Sequence, residues 1–158
     1  MRRALFIFLL VSCLAVPAAW ATVARTNGSV YVQFMHGAGW AKVRFRGNFL
    51  GRVERGRIVA TRNVNVSGYA SKRTLASGLI EYRGPNASHA AMGFRTPADL
   101  AWRLRLFGRG IDATGFVRGC MTLNGVDVGA TGSFKIGQAG TTRPWPRAAT
   151  NYRLGWGC

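Results

Sequence analysis

The segment RGCMTLNGVDVGAT, residues 118–131, carries the strongest turn signal in the chain. Asn124-Gly125 stands between two runs in which apolar and polar residues alternate. An Asn-Gly pair favours the two-residue type I′ turn of a β-hairpin, because both turn positions require positive φ angles. We therefore predict a hairpin in which residues 118–123 pair with residues 126–131.

The predicted hairpin has one apolar face and one polar face. Its register places Leu123 opposite Val126 and Met121 opposite Val128 on the apolar face. Because side chains alternate along a strand, Cys120 falls on the solvent-facing side. The hairpin is thus expected to cover a core on one side only.

Short alternating runs recur along the rest of the chain. Residues 29–34, 40–45, 48–53 and 111–117 have the period-2 pattern of strands, and glycines separate these runs. A last short strand is predicted at residues 150–154. These runs predict an all-β fold, either an antiparallel β-sandwich or a small β-barrel of roughly 8–10 short strands.

A helix-like start and a proline-rich stretch stand among the alternating runs. Thr96-Pro97 resembles a helix start for residues 100–107. We predict a strand there, because a strand places Arg103 and Arg105 on one face, whereas a helix separates them. Residues 141–147, which contain Pro144-Trp145-Pro146, are predicted to form an extended loop outside the sheet.

The first 21 residues have the organisation of a secretory signal peptide. Arg2 and Arg3 precede an apolar run, and an A-x-A motif ending at Ala21 follows Pro17. We predict cleavage after Ala21, which leaves a single exported domain over residues 22–158 without a transmembrane span. Two alternatives are open: a lipoprotein anchored through Cys13, which ends a lipobox-like sequence, and an uncleaved membrane anchor.

The chain is strongly basic. Its formal net charge is +17, with 22 lysines and arginines and only five acidic residues. Removal of Arg2 and Arg3 with the signal peptide leaves +15. Such a charge favours anionic polymers or the cell-envelope surface as partners. The alternative is that the arginine content reflects the composition of a GC-rich genome. The acidic residues are Glu54, Glu81, Asp99, Asp112 and Asp127.

Two cysteines, Cys120 and Cys158, follow the predicted signal peptide. An even pair in an exported protein is typical of a disulfide. We predict that these cysteines form a structural bridge that holds the C-terminal tail across the outside of the sheet. Neither lies in a C-x-x-C motif, and no histidine is close to either in sequence, which disfavours a redox or metal role.

No catalytic constellation stands out in the sequence. It lacks G-x-S-x-G, H-E-x-x-H, a P-loop and a dinucleotide-binding motif. His36, in a glycine-rich turn, and His89 are the titratable groups with most functional interest. Asp112 and Asp127 are expected to cap turns or pair with arginines. We predict no catalytic, cofactor-binding or metal-binding residues, and no enzymatic activity.

Arginines at strand spacing are the positive functional signal. In each of three pairs, one residue separates two arginines, so both guanidinium groups lie on one face of a strand. Arg118 lies on the polar face of the predicted hairpin. A guanidinium group binds phosphate and carboxylate through two parallel hydrogen bonds. The candidate polyanion-binding residues are Arg44, Arg46, Arg55, Arg57, Arg103, Arg105 and Arg118.

The run RGIDATGFVRG, residues 109–119, and the later run GSFKIG, residues 132–137, resemble the C-terminal part of uncharacterised secreted β-rich proteins of high-GC actinobacteria. The resemblance implies an all-β fold and an exported, bacterial setting. It implies no catalytic residue.

Three classes of function stay open: a non-catalytic structural or interaction domain, a polyanion-binding module, and an enzyme of unrecognised type. The polyanion could be a cell-envelope polymer, an anionic lipid surface or nucleic acid, and no specific nucleic acid is predicted. A steep dependence on salt distinguishes polyanion binding from a structural role. A histidine beside an acid in a cleft favours the enzyme.

Overall fold

Two very long β-strands organise the fold. The computed structural model describes residues 28–85, 91–97 and 100–155. They contain no helix and nine antiparallel strands. The strands are β1 Val30–Ala60, β2 Asn65–Ser67, β3 Ser71–Thr74, β4 Ile80–Arg83, β5 Met92–Arg95, β6 Ala101–Asn124, β7 Ser133–Ile136, β8 Arg143–Pro144 and β9 Thr150–Leu154. The predicted all-β antiparallel class is confirmed.

Strand β1 has 31 residues and β6 has 24, whereas strands of about 5–6 residues are typical. A straight strand of this length would extend about 100 Å at ~3.3 Å per residue. Both strands therefore bend, and the sheet curls into a half-barrel. The prediction that all strands are short is wrong for these two.

The bends divide the sheet into two parts, here called the first and second half-sheets. The first contains, in spatial order, β8, β7, residues 30–37, residues 111–117, residues 47–53, β5 and β2. The second contains β3, β4, residues 57–60, residues 101–107, residues 40–46, residues 118–124 and β9. Each long strand thus contributes to both parts.

Glycines permit these changes of direction. Gly56 of β1 lies directly opposite Gly108 of β6. Their φ angles are 150° and 127°, a region that side-chain-bearing residues rarely adopt. A Cβ on Gly56 would collide with the carbonyl oxygen of Phe107, and one on Gly108 would collide with that of Arg55. The two strands therefore approach closely at the bend only because neither residue has a side chain.

The core lies on the inner face of the curled sheet. Phe49 of the first half-sheet stacks on Trp102 of the second, with ring centroids 5.7 Å apart. Phe45 meets the edge of both rings. Burying aromatic side chains from both parts stabilises the curled form by removing their large apolar area from water. The largest fully buried side chains are Trp102, Phe34, Phe49, Phe134, Ile58, Met92, Leu104, Leu106, Ile111, Met121, Leu123 and Leu154.

The predicted Asn124-Gly125 hairpin is wrong. Strand β6 ends at Asn124, and its last residues pair with β1 and β9 rather than with residues 126–131. The Asn124 side chain instead accepts a hydrogen bond from the Val126 amide at 2.8 Å, which forms an Asx turn. Val126, predicted to be buried, is 64% exposed. The turn is local, but longer-range partners occupy both edges of this part of β6.

Other predictions are confirmed in part. Residues 101–107 are a strand with Arg103 and Arg105 on its exposed face, so the helix is excluded. The strand at 150–154 is confirmed. The loop at 141–147 is not wholly outside the sheet, because Arg143–Pro144 pairs with β7. The predicted signal peptide, including Cys13, lies outside the described residues. No helix among the described residues is long and apolar enough to cross a membrane.

Candidate anion-binding surface

The predicted arginine pairs meet on the outer face of the second half-sheet. Three cross-strand pairs of cations follow one another along residues 40–46: Lys42 lies opposite Arg105, Arg44 opposite Arg103, and Arg46 opposite Arg118. We call these six residues the cationic face. They point outward because the residues between them are buried in the core.

This placement works against the stability of the sheet. Like charges directly opposite each other on neighbouring strands are destabilising. Among the described residues no carboxylate lies within 4.0 Å of Lys42, Arg44, Arg103 or Arg105. Lys42 instead lies over the ring of Trp40, 4.8 Å from its centroid. These four cations are therefore presented to solvent without a neutralising acid among the described residues.

A shallow groove of about 240 Å³ runs across the cationic face. It spans three neighbouring strand segments, residues 101–107, 40–46 and 118–124. The polar side chains that line it are cationic except for Cys120 and the hydroxyl of Thr122. Its lining residues are Lys42, Val43, Arg44, Arg103, Leu104, Arg105, Cys120, Met121 and Thr122. The groove is open and therefore suits an extended anion more than an enclosed small molecule.

Of the remaining predicted binding residues, Arg57 lies next to the bend at Gly56, between Arg83 of β4 and Phe107 of β6. Its guanidinium stacks over Phe107, 4.3 Å from the ring centroid, and contacts Glu81 at 3.4 Å. Arg55 lies beyond the bend at Gly56, opposite Arg109, and does not line the groove. Of the seven predicted arginines, the structure thus brings together Arg44, Arg46, Arg103, Arg105 and Arg118 on one face.

Glu81 is a buried acid beneath three arginines. Besides the contact with Arg57, it accepts hydrogen bonds from Arg73 at 2.9 Å and from Arg83 at 3.0 Å. The hydrogen bond from Arg83 does most to lower the pKa of Glu81 below its usual value, burial opposes this, and Arg73 adds to the lowering. This carboxylate is therefore ionised at neutral pH, and it partly neutralises this edge of the sheet.

The predicted binding residues did not include Lys42, which belongs to the cationic face, or Arg153, which lies beside it. Lys42 has the same strand spacing as Arg44 and Arg46, so the alternation already placed it on this face. Arg153 lies on β9 opposite Cys120, and it extends the positive charge across the next strand. It could not be found from sequence, because nothing in the local pattern indicates that β9 pairs with β6.

Cys120 occupies the outward face of β6, as predicted. Arg153 and Leu154 lie opposite Cys120 and Gly119, so the C-terminal strand ends beside Cys120. The predicted partner, Cys158, lies outside the described residues, and the bridge stays a prediction. Trp145, from the predicted loop at residues 141–147, is 3% exposed and packs against Phe34, so it belongs to the core.

The titratable groups singled out in the sequence lie elsewhere. His36 lies next to Asp112, with its Nδ1 3.4 Å from a carboxylate oxygen. Asp112 also pairs with Arg52 at 3.5 Å, as predicted for an acid among arginines. Asp127 is exposed in the turn after β6. His89 lies outside the described residues.

Comparisons with protein-family models, with curated proteins and with solved structures found no match to this chain. The resemblance to secreted actinobacterial proteins stays a prediction. We therefore infer function from the residues and their arrangement.

Proposed function

We propose that this protein binds linear polyanions through the cationic face. The observation that supports the proposal is the direct cross-strand pairing of Lys42 with Arg105, Arg44 with Arg103, and Arg46 with Arg118. A sheet that needed only to fold would gain stability from an acid on one side of the Lys42–Arg105 or the Arg44–Arg103 pair. Retaining cations on both sides has a cost that binding of an anion offsets.

The chemistry of the groove favours phosphate or sulfate groups. Guanidinium groups bind such tetrahedral anions through paired hydrogen bonds. Neighbouring strands are about 4.8 Å apart, and alternate residues on one strand are about 6.7 Å apart. The cations therefore form a two-dimensional grid, which can hold several anionic groups of one extended polymer at once.

The predicted signal peptide would place the protein outside the cytoplasm. With the predicted signal peptide, the accessible polymers are phosphate-bearing cell-envelope polymers, sulfated polysaccharides and extracellular nucleic acid. We propose the envelope polymer as the partner. The charge and the spacing of the anionic groups on the polymer would then determine binding.

The test compares two double variants with the same net charge. The first, Arg44→Gln with Arg103→Gln, removes a cross-strand pair from the groove. The matched control, Arg62→Gln with Arg147→Gln, removes two exposed arginines outside the groove. Binding of each protein to a poly(glycerol phosphate) polymer and to heparin is measured by fluorescence anisotropy over a series of salt concentrations.

The groove variant should bind at least about tenfold more weakly, because each charge-assisted hydrogen bond contributes about 1.5 kcal/mol or more. The control should change affinity much less. All binding should disappear near 1 M salt, where the Debye length is about 3 Å. Equal losses in the two double variants would mean that net charge alone causes binding, and would overturn the proposed surface.

A further inference from the structure

A second polar cluster lies on the outer face of the first half-sheet, away from the cationic face. His36, Glu54 and Asp112 come from three different stretches of the chain, which the pairing of β1 with β6 brings together. One potential ligand atom from each residue lies within 4.8 Å of the others. The cluster borders an open groove of about 380 Å³, which Asp112 and Arg52 line.

The carboxylate of Asp112 is oriented toward the imidazole ring. Its Oδ1 accepts a hydrogen bond from the backbone amide of His36 at 2.9 Å. Its Oδ2 is then left 3.4 Å from His36 Nδ1. Two ligand atoms of one tetrahedral ion, with bonds of about 2.0–2.2 Å, lie about 3.3–3.6 Å apart, so this separation allows one ion to contact both atoms. A hydrogen bond that orients a ligating carboxylate is a usual feature of metal sites.

The backbone also favours this arrangement. His36 has φ of 51°, and it is the only non-glycine residue with a positive φ among the described residues. The Glu54 carboxylate packs against the backbone of Gly110, where a Cβ would lie 2.6 Å from Oε2. Any other residue at position 110 would therefore displace the Glu54 carboxylate from the cluster.

Arg52 is the cation that now neutralises the two acids. Its guanidinium lies 3.6 Å from Glu54 and 3.5 Å from Asp112. Both contacts are longer than the 2.7–2.9 Å of a strong charge-assisted hydrogen bond. The side chain of Arg52 is 52% exposed, so it can move into solvent when another cation takes its place.

We propose that His36, Glu54 and Asp112 bind one divalent transition-metal ion of the zinc class. One imidazole nitrogen and two carboxylate oxygens form a donor set that zinc accepts in proteins, and open positions would remain for water or an anionic group. Magnesium and calcium favour all-oxygen ligands, so they should bind less well. The open groove gives the ion access from solvent.

The test uses the purified, untagged protein after treatment with a chelator. Isothermal titration calorimetry with ZnCl₂ should show one equivalent per chain, and Co²⁺ should produce visible absorption bands from protein ligands. CaCl₂ and MgCl₂ should produce much weaker binding. Absence of a one-equivalent zinc transition in the original protein would overturn the proposal.

Variants locate the ion. His36→Ala and Asp112→Asn should each weaken zinc binding at least about tenfold, and Asp127→Asn, an exposed acid outside the cluster, should leave it unchanged. Arg52→Gln should tighten binding, because it removes the competing cation. Far-UV circular dichroism without metal verifies that each variant is folded, and the Co²⁺ spectrum gives a second readout. Zinc binding that is unchanged in both ligand variants, or weaker in Arg52→Gln, would contradict the proposed site.

Discussion

The charged cluster around Arg52 on the first half-sheet and the cationic face on the second use charge in opposite ways. On the first, Arg52 lies between Glu54 and Asp112, and opposite charges pair. On the second, Arg44 and Arg103 face each other, and no described acid lies within 4.0 Å of either. The same two strands form both faces. The difference therefore lies in the side chains and not in the backbone, and it indicates where cations and where anions are expected to bind.

The largest expected effect concerns the bend that separates the two faces. Gly56→Val should destabilise the protein by more than about 4 kcal/mol, because its Cβ would collide with the carbonyl oxygen of Phe107. Chemical denaturation measures this. Gly78→Ala is the control: Gly78 also has positive φ, 80°, but a Cβ there meets nothing within 4 Å. Its cost should be only about 1–2 kcal/mol. Equal costs would mean that close approach of the strands is not what requires Gly56.

The predicted bridge from Cys120 to Cys158 would hold the C-terminal tail beside the groove. Reduction should lower the free energy of unfolding by about 2–4 kcal/mol and leave the far-UV circular dichroism of the sheet recognisable. Thiol counting on the unreduced, denatured protein from the exported fraction tests the bridge directly. Two free thiols per mature chain would refute it.

Glu81 gives the second half-sheet its own local pairing, so its removal should make the two faces differ more. Glu81→Gln should cost about 1–3 kcal/mol at pH 7, because hydrogen bonds from the arginines to a charged acceptor are weakened. Since the pKa of Glu81 is lowered in the folded state, its stabilisation is present above the unfolded-state pKa and disappears as the pH falls through the folded value. Urea denaturation at pH 7 and below pH 4 should show the difference shrinking in acid.

The smallest effect on stability should come from introducing an acid into the cationic face, which gives it the opposite-charge pairing of the first half-sheet. Arg103→Glu places an acid directly opposite Arg44 and should stabilise the sheet by about 0.5–1 kcal/mol. The same change should weaken polyanion binding. Thermal denaturation and anisotropy on one preparation measure both quantities. A gain in stability without loss of affinity would mean that this pair does not contact the polymer.

Much of this arrangement could be predicted from the alternation of residue types. The inward positions of Trp102 and Leu104, and the outward positions of Arg103 and Arg105, follow directly from period 2. The partners of each strand could not be predicted in this way. Asn124-Gly125 has the local preferences of a hairpin turn, yet hydrogen bonds to β1 and β9 occupy the strand that precedes it. Long-range pairing here overrides the local signal.

The His36 cluster shows the same limit. The backbone of His36 is hydrogen-bonded to Asp112, 76 residues further along the chain. No spacing motif joins residues so far apart, so the sequence alone does not indicate that they meet. Only the register between β1 and β6 brings the imidazole and the carboxylates together.

Strand β1 has a consequence for how the protein reaches its folded state. Trp40 pairs with both Phe107 and Asn124, and Val30 and Ala60, at its two ends, pair with Val117 and Leu104. Its partners are thus distant in sequence along its whole length, which gives the chain a high contact order and predicts slow folding. Because β1 and β6 each contribute residues to both half-sheets, neither half-sheet can form from strands that belong to it alone. We expect the two to unfold as one cooperative unit, with no stable fragment that retains a single face.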